Sequence, residues 1–282
     1  MKSLLRGRAY RVAARAAAVA IVFLAAWAFW IEPSRLVVNR RDIPFRFTRA
    51  GTLRVAVVAD LHVGSPFNGI SRLRTLVATI NDLHPDVICL LGDFVIQGVR
   101  GGRFVEPEAI AVELGSLSSP LGTFAVLGNH DAWLGHDRVE LALRRQGITV
   151  VEERALPVET LEGRLWIAGV SDFWLGRHNV AAAMAAVSDT APVLLLTHNP
   201  DVFPFVPRRV ALTLAGHTHG GQVRLPFIGA PIVPSQYGQR YAAGNITEDA
   251  RTMFVSTGIG TSILPVRFGV PPSIDLLTLS SR

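Results

Sequence analysis

Apolar residues in this chain come in short unbroken runs, and those of the first half alternate with patterns of helical period. Residues 53–59 (Leu-Arg-Val-Ala-Val-Val-Ala) read as a strand buried mostly on both faces, because almost no polar side is left for water. Residues 70–83 follow with apolar side chains at Leu73, Leu76, Val77 and Ile80, the i, i+3, i+4, i+7 spacing of one helix face. Residues 86–91 form a second buried strand, 107–117 a weaker helix and 123–127 a third strand. Strand, helix, strand, helix, strand in succession predicts an α/β fold with a largely parallel sheet and right-handed crossovers. The second half is expected to repeat the pattern, with strands at 164–170, 192–196 and 210–215 and a helix at 181–187. Beyond a Pro/Gly-rich loop at 226–234, short strands are expected near 240–242, 252–256 and 274–279.

A different pattern precedes all of this. Residues 16–31 are uninterruptedly apolar, and 12–14 extend the run past Arg15. About 20 residues cross a bilayer, so the stretch is long enough if Arg15 snorkels to the surface. Trp27 and Trp30 stand near its far end, where interfacial aromatics belong. Five basic residues precede the run and three follow closely, which favours an N-terminus inside the cell and a body outside. Ala26-Trp27-Ala28 has the small-x-small form of a signal-peptide cleavage site, but Phe29-Trp30-Ile31 continue the apolar run beyond it, as an anchor would. No adjacent arginine pair precedes the run, so a twin-arginine signal is not supported. The chain therefore divides into a basic segment and transmembrane anchor (1–31), a polar connector with one candidate edge strand (32–52) and a main domain (53–282).

With 282 residues, 49% of them hydrophobic, the chain can bury a large core. Residues 1–41 carry eight basic side chains against Glu32 alone, which more than accounts for the formal net charge of +6. The body is close to neutral and lacks the basic footprint of a nucleic-acid-binding protein. Cys89 is the only cysteine, so no internal disulfide forms; in the run Val87-Ile88-Cys89-Leu90-Leu91 it reads as a small buried hydrophobe.

What changes the picture is how the strands end. The first three run into Asp60-Leu61-His62, Gly92-Asp93 and Gly128-Asn129-His130-Asp131. Two later ones run into Thr197-His198-Asn199-Pro200 and Gly216-His217-Thr218-His219-Gly220-Gly221-Gln222. Ligands of open α/β sheets bind outside the carboxyl ends of strands, so Asp60, His62, Asp93, Asn129, His130, His198, His217 and His219 should converge. A single Asp after a strand is usually a helix cap or turn residue, but three successive strands with such endings make that account poor. A mixed nitrogen and oxygen set without thiolates suits Zn, Mn or Fe and does not suit a structural zinc site. Eight groups are too many for one tetrahedral ion, yet they match two ions sharing a carboxylate. Paired metals clamp the attacking and leaving oxygens of an in-line displacement and acidify a bound water, which implies hydrolysis of a phosphate ester.

These motifs, in this order and spacing over about residues 53–222, resemble those of the calcineurin-like metallophosphoesterases. The 216–222 ending, the Leu225-Pro226-Phe227-Ile228-Gly229 run and the N-terminal apolar segment look like a bacterial membrane-associated phosphodiesterase branch. The resemblance implies a four-layer α/β/β/α sandwich of two mixed sheets with two divalent or mixed-valence ions (Mn, Fe or Zn). One ion would be held by Asp60, His62, Asp93 and His219, the other by Asp93, Asn129, His198 and His217. His130 would be a general acid or phosphate-orienting group, with Asp131 holding its imidazole. The expected activity is phosphodiester hydrolysis. The alternatives are a lipid or lipid-linked nucleotide pyrophosphatase acting on a substrate such as UDP-diacylglucosamine, or a non-catalytic metal scaffold, which would need neither His130 nor Asp131. The expected location is the bacterial inner membrane, single-pass, with the catalytic domain on the periplasmic side and no nucleic-acid partner.

Other residues have bland readings. His84, His136 and His178 are expected to be solvated, and Asp172 to cap a turn as readily as to approach the site. Gly220 and Gly221 should permit a sharp turn. Phe67, Trp133, Phe173 and Trp174 follow strand ends and could floor an apolar platform or pack under loops. Arg240, Arg251 and Arg267 are candidate phosphate contacts, solvated by default.

Overall fold

A computed structural model describes residues 2–281, with side chains from residue 10 onward. The N-terminal apolar stretch is one helical rod: α1 (Lys2–Ala26) runs through a π-helical turn, Trp27–Ile31, into the closing turn α2 (Glu32–Ser34). The span Tyr10–Ser34 has a mean hydropathy of 2.1, and its most apolar window has no buried residue, so length and composition suffice to cross a membrane. Beyond it the chain forms two six-stranded sheets.

The first sheet contains β1 (Val37–Pro44), β2 (Thr52–Val58), β3 (Val87–Leu91), β4 (Thr123–Val126), β5 (Thr149–Val150) and, from the far end of the chain, β12 (Ser273–Ser280). Its order is β1-β12-β2-β3-β4-β5; β2 to β5 are parallel, and β12 enters antiparallel to β2. The 32–52 stretch thus supplies an edge strand, β1 pairing in parallel with β12 along its whole length. The second sheet contains β6 (Arg154–Thr160), β7 (Gly163–Val170), β8 (Val193–Thr197), β9 (Leu212–Ala215), β10 (Gly244–Glu248) and β11 (Arg251–Val255), in the order β10-β11-β9-β8-β7-β6. Its inner strands are parallel and its two edges antiparallel.

Strand alternation explains why both sheets read as solid apolar runs. From β2 and the residue after it, Val55, Val57 and Ala59 enter the core between the sheets, while Ala56 and Val58 face an outer helical layer. Strand β3 repeats this with Val87, Cys89 and Leu91 against Ile88 and Leu90. The outer layer is α3 (Ile70–Asp82), α4 (Pro107–Leu114) and α5 (Asn129–Arg145), packing Leu73, Leu76, Ile110, Leu114, Val139 and others onto the first sheet. On the far side α6 (Val180–Met184) and the 3₁₀ turn Pro200–Phe205 cover the second sheet through Ala183, Val202 and Phe203. The result is the four-layer α/β/β/α sandwich.

Three differences from the sequence pattern have local causes. The strand expected near 240–242 is instead a 3₁₀ turn, Gly238–Tyr241, because Gly238 takes φ 54° and Tyr241 turns inward to bond Glu248 at 2.9 Å. Edge strands β6 and β10 were not expected, since apart from Ala155 their residues are half-buried or exposed and Pro157 interrupts β6. Helix α5 hides behind Gly128-Asn129-His130-Asp131, whose composition suits a turn, and is kinked at Gly135 (φ 149°).

Leu277, fully buried between the sheets, tests this packing. Leu277→Ala should lower unfolding free energy by about 2–5 kcal/mol, read as a fall in the urea midpoint at unchanged slope.

Candidate metal centre

Five strands of the two sheets end at one place, and their last backbone turns are unusual. Asp60 (φ 52°), His62 (φ 39°), Asp93 (φ 54°), His217 (φ 69°) and His219 (φ 51°) all adopt left-handed conformations that non-glycine residues rarely take. Hydrogen bonds across the sheet hold them there: Asp60 N–H to Gly92 O (3.0 Å), His62 N–H to Asp93 O (2.8 Å), and Gly216 N–H to His198 O (2.8 Å). Backbone strain of this kind persists where the surroundings over-determine it, and it gathers at functional sites. Two glycines are required by close approach. A Cβ on Gly128 would overlap Asp93 Oδ1 and stand 2.6 Å from the Asp93 backbone nitrogen. One on Gly216 would stand 2.7 Å from Ala59 Cβ and 2.9 Å from Asp60 Oδ2.

The side chains so placed form two groups, and a third set, His62, Asp93 and His130, overlaps both. Asp60, His62 and His219 each offer a ligand atom to one group, and Asp93, His198 and His217 to the other, with all such atoms of a group within 4.8 Å of one another. All six are buried. Asp93 joins the groups, its Oδ2 lying 3.4 Å from His62 Nε2 and 3.3 Å from His198 Nε2. The tautomers follow from the far ring nitrogens. His62 Nδ1 donates to Val95 O at 3.2 Å and His198 Nδ1 to Leu91 O at 2.7 Å. In the neutral rings both Nε2 atoms then turn lone pairs toward a carboxylate oxygen. Lone pairs converging in a water-poor pocket repel unless a cation or proton lies among them. Asn129 Oδ1 and His217 Nε2 are also buried without hydrogen-bond partners among the described residues. The donor set, hard oxygens and imidazoles without thiolate, therefore fits divalent metal.

Electrostatics agree. Burial pushes the imidazolium of His62 down to about 4 and of His217 to about 3, so both rings are neutral ligands at neutral pH. Burial also pushes the Asp60 carboxyl up to about 7, a cost that a bound cation offsets. Asp93 stays well below the usual carboxylate range: burial opposes this, but His198 and His62 outweigh it. Conversely, Asp93 holds a proton on His198 against the effect of burial. His198 would have to lose that proton to serve as a metal ligand.

His130 lies at the rim, half-buried. Its backbone N–H donates to Asp93 Oδ1 (2.9 Å), its ring meets His62 edge-on at 4.8 Å, and its Nδ1 has no hydrogen-bond partner among the described residues. The expectation that Asp131 holds this imidazole is corrected. Asp131 sits in the third position of α5, where its carboxylate accepts the backbone N–H groups of Gly128 (2.9 Å), Phe94 (2.9 Å) and Val95 (3.1 Å). It caps the helix and fastens the loop after β3, the work a carboxylate at a helix start is suited to.

A cavity of about 310 Å³ opens over the metal groups, lined among others by His130, Trp133, Trp174, Gln222, Ile232 and Ile263. Trp174 lies edge-on to His217 at 4.4 Å and 6.4 Å from Trp133. Phe67 and Phe173 do not line the cavity; Phe173 stacks on His178 at 4.7 Å. Asp172 caps the 3₁₀ turn Phe173–Leu175, accepting from Trp174 N–H at 2.8 Å. Gly220 (φ 62°) and Gly221 (φ 78°) make the turn beside His219. The arginines were not legible as they stand. Arg251 bonds the carbonyls of Phe203, Pro204 and Val206, and Arg240 pairs with Glu248. Arg267 is fully buried, with a nitrogen 3.4 Å from His219 Nδ1. His84 is exposed, as expected, whereas half-buried His136 is paired with Glu152 at 2.6 Å and belongs to a separate polar cluster.

Histidines and carboxylates delivered in this way by two facing sheet edges define a metal-dependent hydrolase. The chain belongs to the calcineurin-like phosphoesterase family, whose model matches residues 53–221, and is a metal-dependent phosphoric ester hydrolase. It is 29% identical over 260 residues to the metallophosphoesterase YkuE of Bacillus subtilis, covering 90% of this chain and 89% of that one. It is 31% identical over 254 residues to the phosphodiesterase YaeI of Escherichia coli, covering 89% and 90%. With the UDP-2,3-diacylglucosamine pyrophosphatase LpxG of Chlamydia trachomatis it shares 26% identity over 306 residues, covering 89% and 91%.

Two measurements test this geometry. Gly128→Ala should cut bound metal by more than about tenfold, seen by elemental analysis, because backbone atoms of Asp93 cannot yield to the new Cβ. The Glu152 hydrogen bond raises the His136 pKa from 6.5 to about 9. The stabilisation it gives is complete below pH 6.5 and fades as pH rises through 9. His136→Gln should therefore unfold at lower urea than wild type at pH 6, with the gap closing by pH 10.

Proposed function

We propose that this protein is a two-metal phosphodiesterase of the bacterial inner membrane, with its catalytic domain on the periplasmic side. The observation that carries the dinuclear assignment is the position of Asp93 Oδ2 between His62 and His198, each in a different ligand group. Asp60, His62, Asp93 and His219 would hold one ion, and Asp93, Asn129, His198 and His217 the other. When bound, the pair supplies Lewis acidity at the phosphoryl oxygens and a water acidic enough to act at neutral pH.

The chain's own residues do the rest. Asp93 divides its oxygens, Oδ2 toward His62 and His198 and Oδ1 onto the His130 backbone N–H, so the residue that would be shared by both ions also places the rim histidine. Burial lowers the His130 pKa, which favours a neutral ring whose N–H donates to a phosphoryl or leaving oxygen. With Nδ1 unpaired among the described residues, the ring is free to meet substrate. Trp133 and Trp174 wall the opening and exclude water from one side of a bound ester.

A second reading of the substrate, a lipid-linked nucleotide diphosphate, is favoured by the likeness to LpxG and by the apolar helix Tyr10–Ser34, whose most apolar window has no buried residue. It keeps the metal chemistry and changes only what occupies the opening. Turnover of UDP-diacylglucosamine in detergent well above that of soluble diesters would establish it; activity on soluble diesters alone would refute it.

The mechanism is tested by two variants assayed on a chromogenic phosphodiester. His130→Ala should retain both metals and lose about 10²–10⁴-fold in kcat. Asp93→Asn should lose metal as well as activity. An Asp93→Asn protein that kept two ions and wild-type kcat would overturn the bridging assignment.

A further inference from the structure

The foot of the N-terminal helix is built into the catalytic body. Ala28 O accepts the Arg267 N–H at 2.9 Å, while the Glu32 carboxylate accepts the Val270 N–H at 2.6 Å and Trp27 Nε1–H at 2.7 Å. Glu32 and Arg267 are both buried. From this seam two loops reach the mouth of the metal cavity. Phe268 pairs with Gln222 and Arg224 through N–H groups at 2.8 and 2.7 Å, and the next residues form a hairpin closed by Leu225 and Gly229 at 2.8 and 3.0 Å. Gln222 also ties down the second loop, donating to Ser262 O at 3.0 Å and accepting from Ser262 N–H at 2.6 Å.

Both loops present their apolar side chains outward. Phe227, at the hairpin tip, is fully exposed, and Ile228 beside it is exposed too. On the second loop Ile263 is 73% exposed and Leu264 also faces out, while Ile232, at 79%, stands across the mouth. Phe227 (φ 65°) and Ile263 (φ 62°) both hold left-handed backbones, which bulky and β-branched residues avoid. Two large apolar side chains are thus kept in water on backbones that disfavour them. Exposed arginines flank them: Arg224 precedes the hairpin, and the Arg100 N–H bonds Ile263 O at 2.9 Å. Apolar tips with basic neighbours match the boundary between acyl chains and anionic headgroups.

We propose that the tips at 226–228 and 263–264 are a second membrane contact, dipping into the same bilayer that receives the N-terminal helix, so that the metal cavity opens at headgroup level. The occupant is the bilayer because the apolar tips have basic neighbours and their loop is hydrogen-bonded, through the Phe268 and Arg267 backbone, to the foot of the helix. The inference rests on the anchor reading and narrows the substrate class to amphiphilic phosphoesters, whose tails stay in the membrane while the phosphorus reaches the metals. A rim that met only water would need no such tips.

The test uses the full chain in vesicles of phosphatidylethanolamine and phosphatidylglycerol. Cys89 is fully buried and burial raises its thiol pKa, so single cysteines added elsewhere can be labelled selectively. An environment-sensitive dye is placed on Phe227→Cys, on Phe23→Cys in the helix, and on Leu161→Cys at the exposed turn between β6 and β7. The expected result is quenching by spin-labelled acyl chains at 227 and 23 but not at 161, with aqueous iodide quenching only 161. Lipid quenching at 23 but free iodide access at 227 overturns the proposal and leaves the anchor intact. Shielding of 227 from both quenchers overturns it in favour of a second protein on the patch. Iodide access at 23 defeats the anchor reading and the proposal together.

Discussion

One carboxylate sets the terms for the rest of the site. Asp93 is buried at the junction of the two sheets, and its two oxygens have separate duties: Oδ1 takes the backbone N–H that starts α5, and Oδ2 faces histidines from both sheets. A carboxylate in that position is costly to desolvate and is kept ionised by positive charge around it. His198 supplies part of it: burial lowers its pKa, but Asp93 outweighs this and holds it well above the ordinary imidazole value. The neutral His62 turns its Nε2 lone pair inward, and Asn129 Oδ1 and His217 Nε2 are buried beside it without hydrogen-bond partners among the described residues. The glycines and left-handed turns around it follow from the need to bring five strand ends this close, since Gly128 lies against Asp93 and Gly216 against Asp60.

Much of this was legible because strands buried on both faces leave an unmistakable apolar run, and each run here stops at a metal-binding type of residue. The period-2 split of Val55, Val57 and Ala59 from Ala56 and Val58 cannot be seen in such a run, yet it is what makes the body two sheets with three cores. Edges β6 and β10 escaped notice because half-exposed strands carry little apolar signal. Helix α5 escaped because Gly128-Asn129-His130-Asp131 at its start has the composition of a turn. Arg267 was invisible for another reason. Its role depends on Gly260, Thr257 and Val270 carbonyls and on His219, 48 residues away, and nothing local distinguishes it from a solvated arginine.

The reassignment of Asp131 alters how His130 is understood. A histidine clamped by a carboxylate has a fixed ring and a raised affinity for protons. Here the backbone is fixed, through Asp93 Oδ1, while the ring rests between His62 and Trp133 at 4.8 and 5.1 Å and is bound by no partner at Nδ1 among the described residues. Its position is set, its orientation is left for substrate, and its basicity is lowered by burial. That combination suits a group that donates a neutral N–H to phosphate better than one that stores a proton.

Arg267 connects this chemistry to the N-terminal helix through charge balance. Burial pushes its guanidinium pKa down to about 10, with Asp60 and Glu32 holding it up, so it remains a cation at neutral pH. Its donors go to Gly260 O, Val270 O and Thr257 O, and Gly260 N–H in turn bonds Asp60 O at 2.7 Å. A point charge could not span these three carbonyls, whereas a planar fork can. One of the two anions that balance the fork, Glu32, comes from the foot of the helix and is itself fixed by Trp27 and Val270. Removing the helix foot would leave a buried cation short of a counter-charge beside His219, a candidate metal ligand. The helix is therefore not a tether added to a finished domain, because the electrostatics around His219 include a residue that it supplies.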